Sequence, residues 1–435
     1  MSMRLVRPGG GWRVIWLGLA VFLLGVLVAY AATWRPAIDP VARPLPSAFA
    51  AAQVERGSAL ASLGSCAVCH TSEQGSTFAG SRALPTPFGT IYTTNITPDV
   101  GTGIGAWSRE AFRRAMKAGV SRDGHHLYPA LPYVHFTHAT DEDLDALYAY
   151  FMTRQAAEAV APANRLIPPL GFRPLLAGWK LLFLRQTPFE PDPTRSAAWN
   201  RGAYLVEGLG HCAACHSPLD MIGGEKHGMA FAGGEAEGWK APPLDATNPR
   251  AGTWSVNALH DYLRGGIEPH HSVAAGPMGP VTHELSQVPD ADVSAIAVYV
   301  ASLMNPSKGD EHSVDVVDRA VLAAGAQPQG AAIFAGACAG CHEPGAPMAR
   351  EGRPLLSTAT TVLANSPDNA LQAMFSGIRS PEDGRTPYMP SFRGTLTDDQ
   401  AAQLAAYIRL RFTNLPEWSG LRTAASRARA EANSP

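Results

Sequence analysis

The chain has 435 residues, of which 46% are hydrophobic and 17% charged, a composition typical of about two to four globular domains rather than of a fibrous or disordered protein. Its 35 basic and 37 acidic residues give a formal net charge of -2, and no long basic run occurs. This balance excludes a nucleic-acid partner, because a phosphate backbone attracts clustered Lys and Arg.

An apolar run without charges lies near the N-terminus, over residues 14–32, and Arg4, Arg7 and Arg13 precede it. Positive residues stay on the cytoplasmic side of a membrane, and roughly 20 apolar residues cross a bilayer core. We therefore expect a single transmembrane anchor in the bacterial inner membrane, with the rest of the chain in the periplasm. A cleaved signal peptide is the alternative, because Ala29-Tyr30-Ala31 has the small-x-small form of a cleavage site.

Every cysteine falls within a Cys-x-x-Cys-His (CxxCH) motif, so none remains for a disulfide bond. This motif is the attachment signature of haem c, in which the two thiols form thioethers with the haem vinyl groups. The sequence therefore predicts three covalently bound haems c, attached at Cys66 and Cys69, at Cys212 and Cys215, and at Cys338 and Cys341.

The histidine of each motif is the expected proximal ligand of the haem iron. These residues are His70, His216 and His342. A structural zinc site is the alternative interpretation of a Cys2His cluster, but no motif has a convincing fourth ligand at the usual short spacing.

The three motifs lie in three copies of one sequence pattern. Each copy has a helix before the motif, a second helix between a serine cap and a glycine, a Pro-rich loop, and a C-terminal helix that begins with an acidic residue. A tyrosine recurs on the apolar face of the C-terminal helix, at Tyr148, Tyr299 and Tyr407. The predicted fold class is all-α, with three tandem cytochrome c domains behind the N-terminal transmembrane helix.

The domain boundaries follow from these copies and from the Pro-rich stretches between them. We expect the following division: 1–45 cytoplasmic tip, anchor (or signal peptide) and linker; 46–158 first domain; 159–195 linker; 196–304 second domain; 305–328 linker; 329–418 third domain; and 419–435 flexible tail.

The distal iron ligands can be predicted from their position in the repeat. Met278 lies twelve residues after Gly266, and Met389 lies twelve residues after Gly377. A methionine sulfur opposite a histidine raises the reduction potential of a haem relative to two nitrogen ligands. A core-filling role is the alternative for both methionines.

The first copy has Leu131 at the equivalent position, twelve residues after Gly119, and leucine cannot bind iron. We predict His135 as the distal ligand, because it follows the loop most closely. Other candidates are His138, His125, His126 and Met116. With none of these bound, the first haem would be five-coordinate and open to ligands or peroxide.

An apolar and aromatic segment, residues 169–185, separates the first two copies and carries Arg173, Lys180 and Arg185. It is too short and too charged to span a membrane, so we expect an amphipathic helix in the bilayer interface, near a lipid-soluble acceptor such as a quinone. A packed linker or a subunit contact is the alternative.

Four segments carry a family resemblance: residues 89–99 (GTIYTTNITPD), 123–130, 201–205 (RGAYL) and the surroundings of Trp179. Through them the chain, from about Val54 to Leu415, resembles the three-haem cytochrome c subunits of membrane-bound bacterial dehydrogenases. The resemblance implies an electron-transfer subunit that is not an enzyme on its own. It would accept electrons from a periplasmic catalytic subunit and pass them to ubiquinone.

The catalytic subunit implied by the resemblance carries pyrroloquinoline quinone, flavin or molybdopterin, and a small iron-sulfur subunit can accompany it. Alcohol dehydrogenase cytochromes have Met where this chain has Leu131. The loop over residues 128–137 looks more like that of molybdopterin aldehyde or nicotinate-type dehydrogenases, so we favour this type. A cytochrome subunit of a terminal oxidase and a haem peroxidase acting at the first haem are the alternative functions.

Overall fold

The computed structural model describes residues 10–304, 316–343, 345–346, 353–380 and 387–432. Arg4, Arg7 and residues 305–315 of the predicted second linker lie outside the described residues. Below, residues 46–158, 196–304 and 316–432 are called the first, second and third segments.

Helices dominate every segment. The N-terminal region and the first segment contain α1 (Gly10–Thr33), α2 (Ala51–Leu63), α3 (Cys66–His70), α4 (Arg109–Ala118), α5 (Tyr133–Phe136) and α6 (Asp141–Met152). The connection and the second segment contain α7 (Leu175–Phe183), α8 (Ala197–Glu207), α9 (Ala213–His216), α10 (Val256–Gly265), α11 (Met278–Leu285) and α12 (Asp290–Met304). The third contains α13 (Ala320–Ala326), α14 (Pro328–Ala337), α15 (Ala339–His342), α16 (Thr360–Leu363), α17 (Asp368–Ser376), α18 (Asp398–Phe412) and α19 (Leu421–Glu431).

The all-α prediction is wrong, because short antiparallel strands form in the long loops. They are β1 (Ala83–Thr86), β2 (Gly89–Tyr92), β3 (Arg165–Leu166), β4 (Gly234–Ala236), β5 (Trp239–Ala241), β6 (Ile267–Glu268), β7 (Ser272–Val273), β8 (Ile378–Arg379) and β9 (Pro387–Met389). β2 pairs with both β1 and β3, and the others pair in sequence order. Pairing satisfies backbone groups that the loops would otherwise leave without partners, and β-branched and aromatic residues such as those of β2 fit a pleated surface.

The predicted N-terminal transmembrane helix is also not supported. Within the part of the chain that the structure describes, no helix combines the length and the apolar character needed to cross a membrane.

In each segment, the helix before the CxxCH motif crosses a later helix, the one that begins at Asp141, Asp290 or Asp398, at a glycine. A β-carbon on Gly57 would overlap the carbonyl oxygen of Ala146, and one on Gly202 would overlap that of Ala295. Gly330 stands in the same relation to Gln403. These three glycines let α2 approach α6, α8 approach α12, and α14 approach α18 at backbone distance. The crossing helices place each CxxCH motif directly after one of them.

The tyrosine that recurs at this crossing is Tyr150, rather than the predicted Tyr148. A β-carbon on Gly57, Gly202 or Gly330 would lie 2.7 Å from the Cβ of Tyr150, Tyr299 or Tyr407, respectively. Tyr148 is buried on another side of α6, where its hydroxyl donates to the Trp107 carbonyl at 2.8 Å.

The serine caps of the second helix are confirmed in two of the three copies. Ser108 accepts a hydrogen bond from the Ala111 N–H at 3.2 Å, and Ser255 accepts one from the Ala258 N–H at 3.0 Å. In the third copy α17 begins after Pro367 without a side-chain cap, so the predicted cap at Ser366 is wrong.

Two apolar cores hold the described chain together. One is shared by the first and second segments and includes Leu147, Leu205 and Val293, whereas the other lies within the third segment. Residues 421–431 of the expected flexible tail form α19 instead. Ala424, Ala425 and Ala428 are buried in the core of the third segment, because small side chains at helical spacing let α19 pack against it.

Asp143 joins the first two segments. Only 1% of its side chain is exposed, and it accepts hydrogen bonds from Arg56 at 2.5 Å and from the Tyr204 hydroxyl at 2.6 Å. In the second segment Arg201 pairs with Asp292 at 2.7 Å in the equivalent way.

We predict that Asp143→Ala lowers the stability of the holoprotein by about 2 kcal/mol, because a buried hydroxyl and a guanidinium lose a charged partner. Thermal unfolding followed by circular dichroism measures this as a lower Tm. Glu142, exposed in the same helical turn, is the control, and Glu142→Ala should change stability by no more than about 0.5 kcal/mol. Equal shifts for the two variants would contradict the role given to Asp143.

Candidate haem-binding sites

Each CxxCH motif folds as one short helical turn that follows α2, α8 or α14. The turns are α3, α9 and α15. Residues at spacings of three and four share one face of a helix, so both cysteines and the histidine of a motif point the same way. Ser65 and His211, which precede the first two motifs, have φ of +48° and +38°, and this left-handed backbone redirects the chain into the turn.

The motif histidines of the first two sites are held in the same way. His70 Nδ1 lies 2.7 Å from the Thr94 carbonyl oxygen, and His216 Nδ1 lies 2.7 Å from that of Pro242. Burial lowers the pKa of both imidazoles, which favours the neutral form. A neutral ring that donates from Nδ1 to a carbonyl presents its Nε2 lone pair to a metal, which is the form a proximal iron ligand takes.

The carbonyls of Thr94 and Pro242 are site groups that the sequence reasoning missed. They lie 24 residues after His70 and 26 residues after His216. Alignment of the two copies by their motifs brings these positions close together, and this is the signal that could have found them. Thr94 belongs to the segment 89–99, so its contact with His70 explains part of that resemblance.

Five of the six motif cysteines are partly buried, and Cys69 is exposed. Burial raises the pKa of Cys66 and of Cys212 to about 12, and that of Cys338 to about 11. In the described parts of the chain, no group of three or more Cys, His, Asp and Glu side chains is arranged to hold a metal ion.

An apolar cleft in the third segment brings together Cys338, His342 and Met389. Aromatic and aliphatic side chains line the rest of it, including Phe334 and Leu404. A large, flat and mostly apolar group such as haem fits a cleft of this lining.

Arg353 also lines this cleft, and its buried Nε has no hydrogen-bond partner among the described residues. A cation at the edge of an apolar cleft suits the propionate groups of haem. Burial, and next the charge of Arg353, lower the pKa of His342 to about 4, so that this imidazole is neutral as well.

The two predicted methionine ligands lie on different backbone structures. Met278 begins α11, and its N–H donates to the Ala275 carbonyl at 3.2 Å. Met389 ends β9 opposite Ile378. Both side chains are partly buried. Their roles as iron ligands, like those of His70, His216 and His342, remain predictions.

His135, the predicted distal ligand of the first haem, contacts the second segment. Its side chain is buried, and Nε2 lies 2.6 Å from Oε1 of Glu225 in the second segment. This contact uses Nε2, the ring nitrogen that usually binds iron. The geometry therefore supports His135 as a contact between the two segments and does not support it as an iron ligand.

The first and second motifs lie close together. A β-carbon on Gly64, two residues before Cys66, would lie 3.4 Å from the carbonyl oxygen of Leu209, three residues before Cys212. Arg82 bridges the two segments, because it donates to the Val68 carbonyl at 2.6 Å and pairs with Glu237 at 2.9 Å.

The second segment also borders the third site. Ser272, Val273 and Ala275, which precede Met278, line the cleft that contains His342. The Thr360 N–H donates to the His271 carbonyl at 2.8 Å and fixes this contact. The described structure therefore places the three motif regions in sequence order, each beside the next.

Comparison with family models agrees with the geometry. Residues 54–155 match the model for cytochrome c, and residues 325–408 match the model for cytochrome c oxidase, cbb3-type, subunit III. Together with the helical CxxCH turns, these matches define the chain as a c-type cytochrome, which carries covalently bound haem c.

Three relatives show which kind of c-type cytochrome this chain resembles. The fructose dehydrogenase cytochrome subunit of Gluconobacter japonicus is 34% identical over 85% of this chain and 82% of its own length. The gluconate 2-dehydrogenase cytochrome c subunit of Pantoea cypripedii is 36% identical over 82% of this chain and 85% of its own length. A nicotinate dehydrogenase subunit of Pseudomonas putida is 46% identical over 96% of this chain.

The chain belongs to the family of cytochrome c subunits of dehydrogenases. The predicted resemblance is confirmed, as is the expectation of an electron-transfer subunit rather than an enzyme on its own. The chain spans only 36% of the length of the nicotinate dehydrogenase subunit.

Proposed function

We propose that this chain binds three haems c and conducts electrons from the catalytic subunit of a dehydrogenase to ubiquinone. The order of the sites carries the proposal. The loops that lead into the first two motifs approach each other at Gly64 and Leu209, and the cleft around His342 is bordered by Ser272, Val273 and Ala275 of the second segment. Electron transfer requires cofactors that are close together and rigidly held. The bridges through Arg82 and Thr360 supply this rigidity.

The bound haems supply the redox chemistry, and the protein sets their potentials. His70 and His216 are oriented by backbone carbonyls, which fixes the ring plane of each proposed proximal ligand. Met278 and Met389 are the proposed distal ligands of the second and third sites, where a thioether sulfur raises the potential. Cysteine thioethers keep each haem in place through every redox cycle.

The proposed electron donor is a periplasmic catalytic subunit of the molybdopterin type, accompanied by a small iron-sulfur subunit. The 46% identity to a nicotinate dehydrogenase subunit, against 34 and 36% to the fructose and gluconate dehydrogenase subunits, supports this type. A subunit of the pyrroloquinoline quinone or flavin type is the alternative. We place the complex on the periplasmic side of the inner membrane, because haem is attached to CxxCH motifs in that compartment.

The proposed acceptor site is the outer surface of α7. Leu181 and Leu182 are 80 and 60% exposed, whereas Lys180 is buried and donates to the Ala118 carbonyl at 2.8 Å. The lysine therefore points into the protein, and an apolar surface remains outside. Met221, which is 94% exposed, adds to it, since the Trp179 indole donates to the adjacent Ile222 carbonyl at 3.0 Å. Such a surface suits a lipid-soluble acceptor.

Haem content tests the first part of the proposal. Protein matured in the bacterial periplasm should contain three haems per chain in a pyridine haemochrome assay, and alanine at both cysteines of any one motif should leave two. A value below three for the native chain would contradict the proposal. Purification of the native complex tests the partner, and recovery of a copper-haem oxidase in place of a dehydrogenase would establish the terminal-oxidase alternative.

The acceptor site is tested with the double variant Leu181→Ser and Leu182→Ser. We expect reduction of a soluble ubiquinone analogue by the reduced complex to slow by about tenfold, the equivalent of about 1.4 kcal/mol, with unchanged haem content. The control is Val160→Ser, because Val160 is also 80% exposed but lies outside α7. Equal quinone reduction by both variants would place the acceptor elsewhere.

A further inference from the structure

The loop after α4 and the loop after α10 have the same backbone register. The Leu127 N–H donates to the Gly119 carbonyl at 2.8 Å, and the Ala274 N–H donates to the Gly266 carbonyl at 2.7 Å. Four residues further on, Leu131 occupies the place of Met278. The match between the two loops is therefore structural as well as numerical.

The next turn confirms this equivalence. The Leu131 N–H donates to the Tyr128 carbonyl at 3.1 Å, as the Met278 N–H does to the Ala275 carbonyl at 3.2 Å. Leu131 and Cys66 both pack against the core that the first two segments share. A leucine side chain has no lone pair, so the position that supplies the proposed distal ligand at the second site supplies none at the first.

The nearby histidines are held by other partners. Nε2 of His135 is bonded to Glu225. His126 contacts the Thr33 carbonyl through Nε2 at 2.8 Å and Lys180 Nζ through Nδ1 at 3.0 Å, so both of its nitrogens are engaged.

The two other histidines of this region lie at its periphery. His138 Nδ1 lies 2.9 Å from the Thr187 carbonyl of the connection between segments, and His125 is exposed in a surface turn. In the described structure, three of the four histidines therefore use a ring nitrogen for a contact outside the first motif, and the fourth, His125, is exposed.

Met116 is the remaining sulfur donor in the first segment's second helix. It lies three residues before Gly119, as Met374 lies three residues before Gly377. Met374 lines the cleft of the third site, where Met389 is the proposed ligand. Met116 is therefore equivalent to Met374, which lies at the side of its cleft, and Leu131 is equivalent to Met389, the proposed distal ligand.

We infer that the haem attached at Cys66 and Cys69 has no protein ligand on its distal face and binds small exogenous ligands there: carbon monoxide or nitric oxide when ferrous, and cyanide when ferric. The motif of the first site fits a haem, because the Thr94 carbonyl, 2.7 Å from Nδ1, orients the His70 ring and leaves Nε2 for the iron. The distal side decides whether a haem transfers electrons only or also binds ligands. This inference replaces the predicted ligation by His135.

Spectroscopy of the full-length holoprotein tests the inference. We expect the dithionite-reduced protein to bind one carbon monoxide per chain, and the ferric protein to show a high-spin electron paramagnetic resonance signal from one haem. Leu131→Met should abolish both. His135→Ala should leave both unchanged.

The control for Leu131→Met is Leu127→Met, which introduces a sulfur into the same loop at a position that corresponds to Ala274 and should change neither signal. A native protein whose haems are all low-spin and bind no carbon monoxide would overturn the inference. So would the appearance of carbon monoxide binding only after His135→Ala. If Leu131→Met fails to fold, the stoichiometry of the native protein still decides. Haem content and quinone reduction are measured separately, so the proposed function can fail or hold independently of this result.

Discussion

The substitution Gly330→Ala is expected to destabilise the third segment by about 3–5 kcal/mol, although it adds only one methyl group. The new β-carbon would overlap the Gln403 carbonyl oxygen and lie 2.7 Å from the Tyr407 β-carbon. Both are atoms of α18 that cannot move without the helix. α14 and α18 would have to separate, and the contacts of the CxxCH turn that follows α14 would be lost with them.

The same helix supplies the control. A β-carbon on Gly336 would have no neighbouring atom within 4 Å, so Gly336→Ala should be neutral or raise stability by roughly 0.5–1 kcal/mol through helix propensity. Circular dichroism and Soret absorbance, recorded together during heating, compare the two variants. If Gly330→Ala and Gly336→Ala unfolded at the same temperature, the close crossing of α14 and α18 would be wrong. Gly57→Ala and Gly202→Ala should behave as Gly330→Ala does.

These glycines mark what sequence could and could not reveal about the fold. Long periodic helices with caps, such as α6 and α18, were predictable because spacing and caps are local properties. The strands were not, since β6 and β8 have two residues each and pair through backbone groups. α19 was missed because its buried residues are alanines, whose apolar spacing in a segment rich in Arg and Ser gives a weak signal.

The residues of the candidate sites also fall into two groups, those that a local motif predicts and those that only tertiary structure brings together. CxxCH names the attachment residues and the proximal histidines directly, because the motif is a local requirement of haem c. The partner of His135 could not be read from the chain, since Glu225 lies 90 residues away and only the packing of two segments brings them together. Arg353 was missed for a similar reason, because its place in a cleft with His342 and Met389 depends on tertiary structure.

The substitution Met389→Leu is expected to change the haem attached at Cys338 and Cys341 from low-spin to high-spin. Its reduction potential should fall on the order of 100 mV, a fraction of the roughly 0.8 V over which axial ligands tune haem. The reason is the loss of a thioether sulfur, which favours ferrous iron. Leucine keeps the apolar volume of methionine, so the cleft that Met389 shares with His342 should stay intact.

Met374 allows a matched control, because it lines the same cleft and is also a methionine. Met374→Leu should leave the spin state and the potential unchanged, since only Met389 lies twelve residues after the glycine that ends the second helix. Potentiometric titration followed by optical spectroscopy, together with the far-red band of sulfur-ligated ferric haem, separates the two variants. The haem proposed to bind Met278 keeps its own band in both variants, so the decrease in band intensity is what is compared. A decrease in Met374→Leu but not in Met389→Leu would exchange their roles. An undiminished band in both variants would remove methionine from this iron altogether, and with it the argument that the repeat position of Met278 and Met389 identifies a ligand.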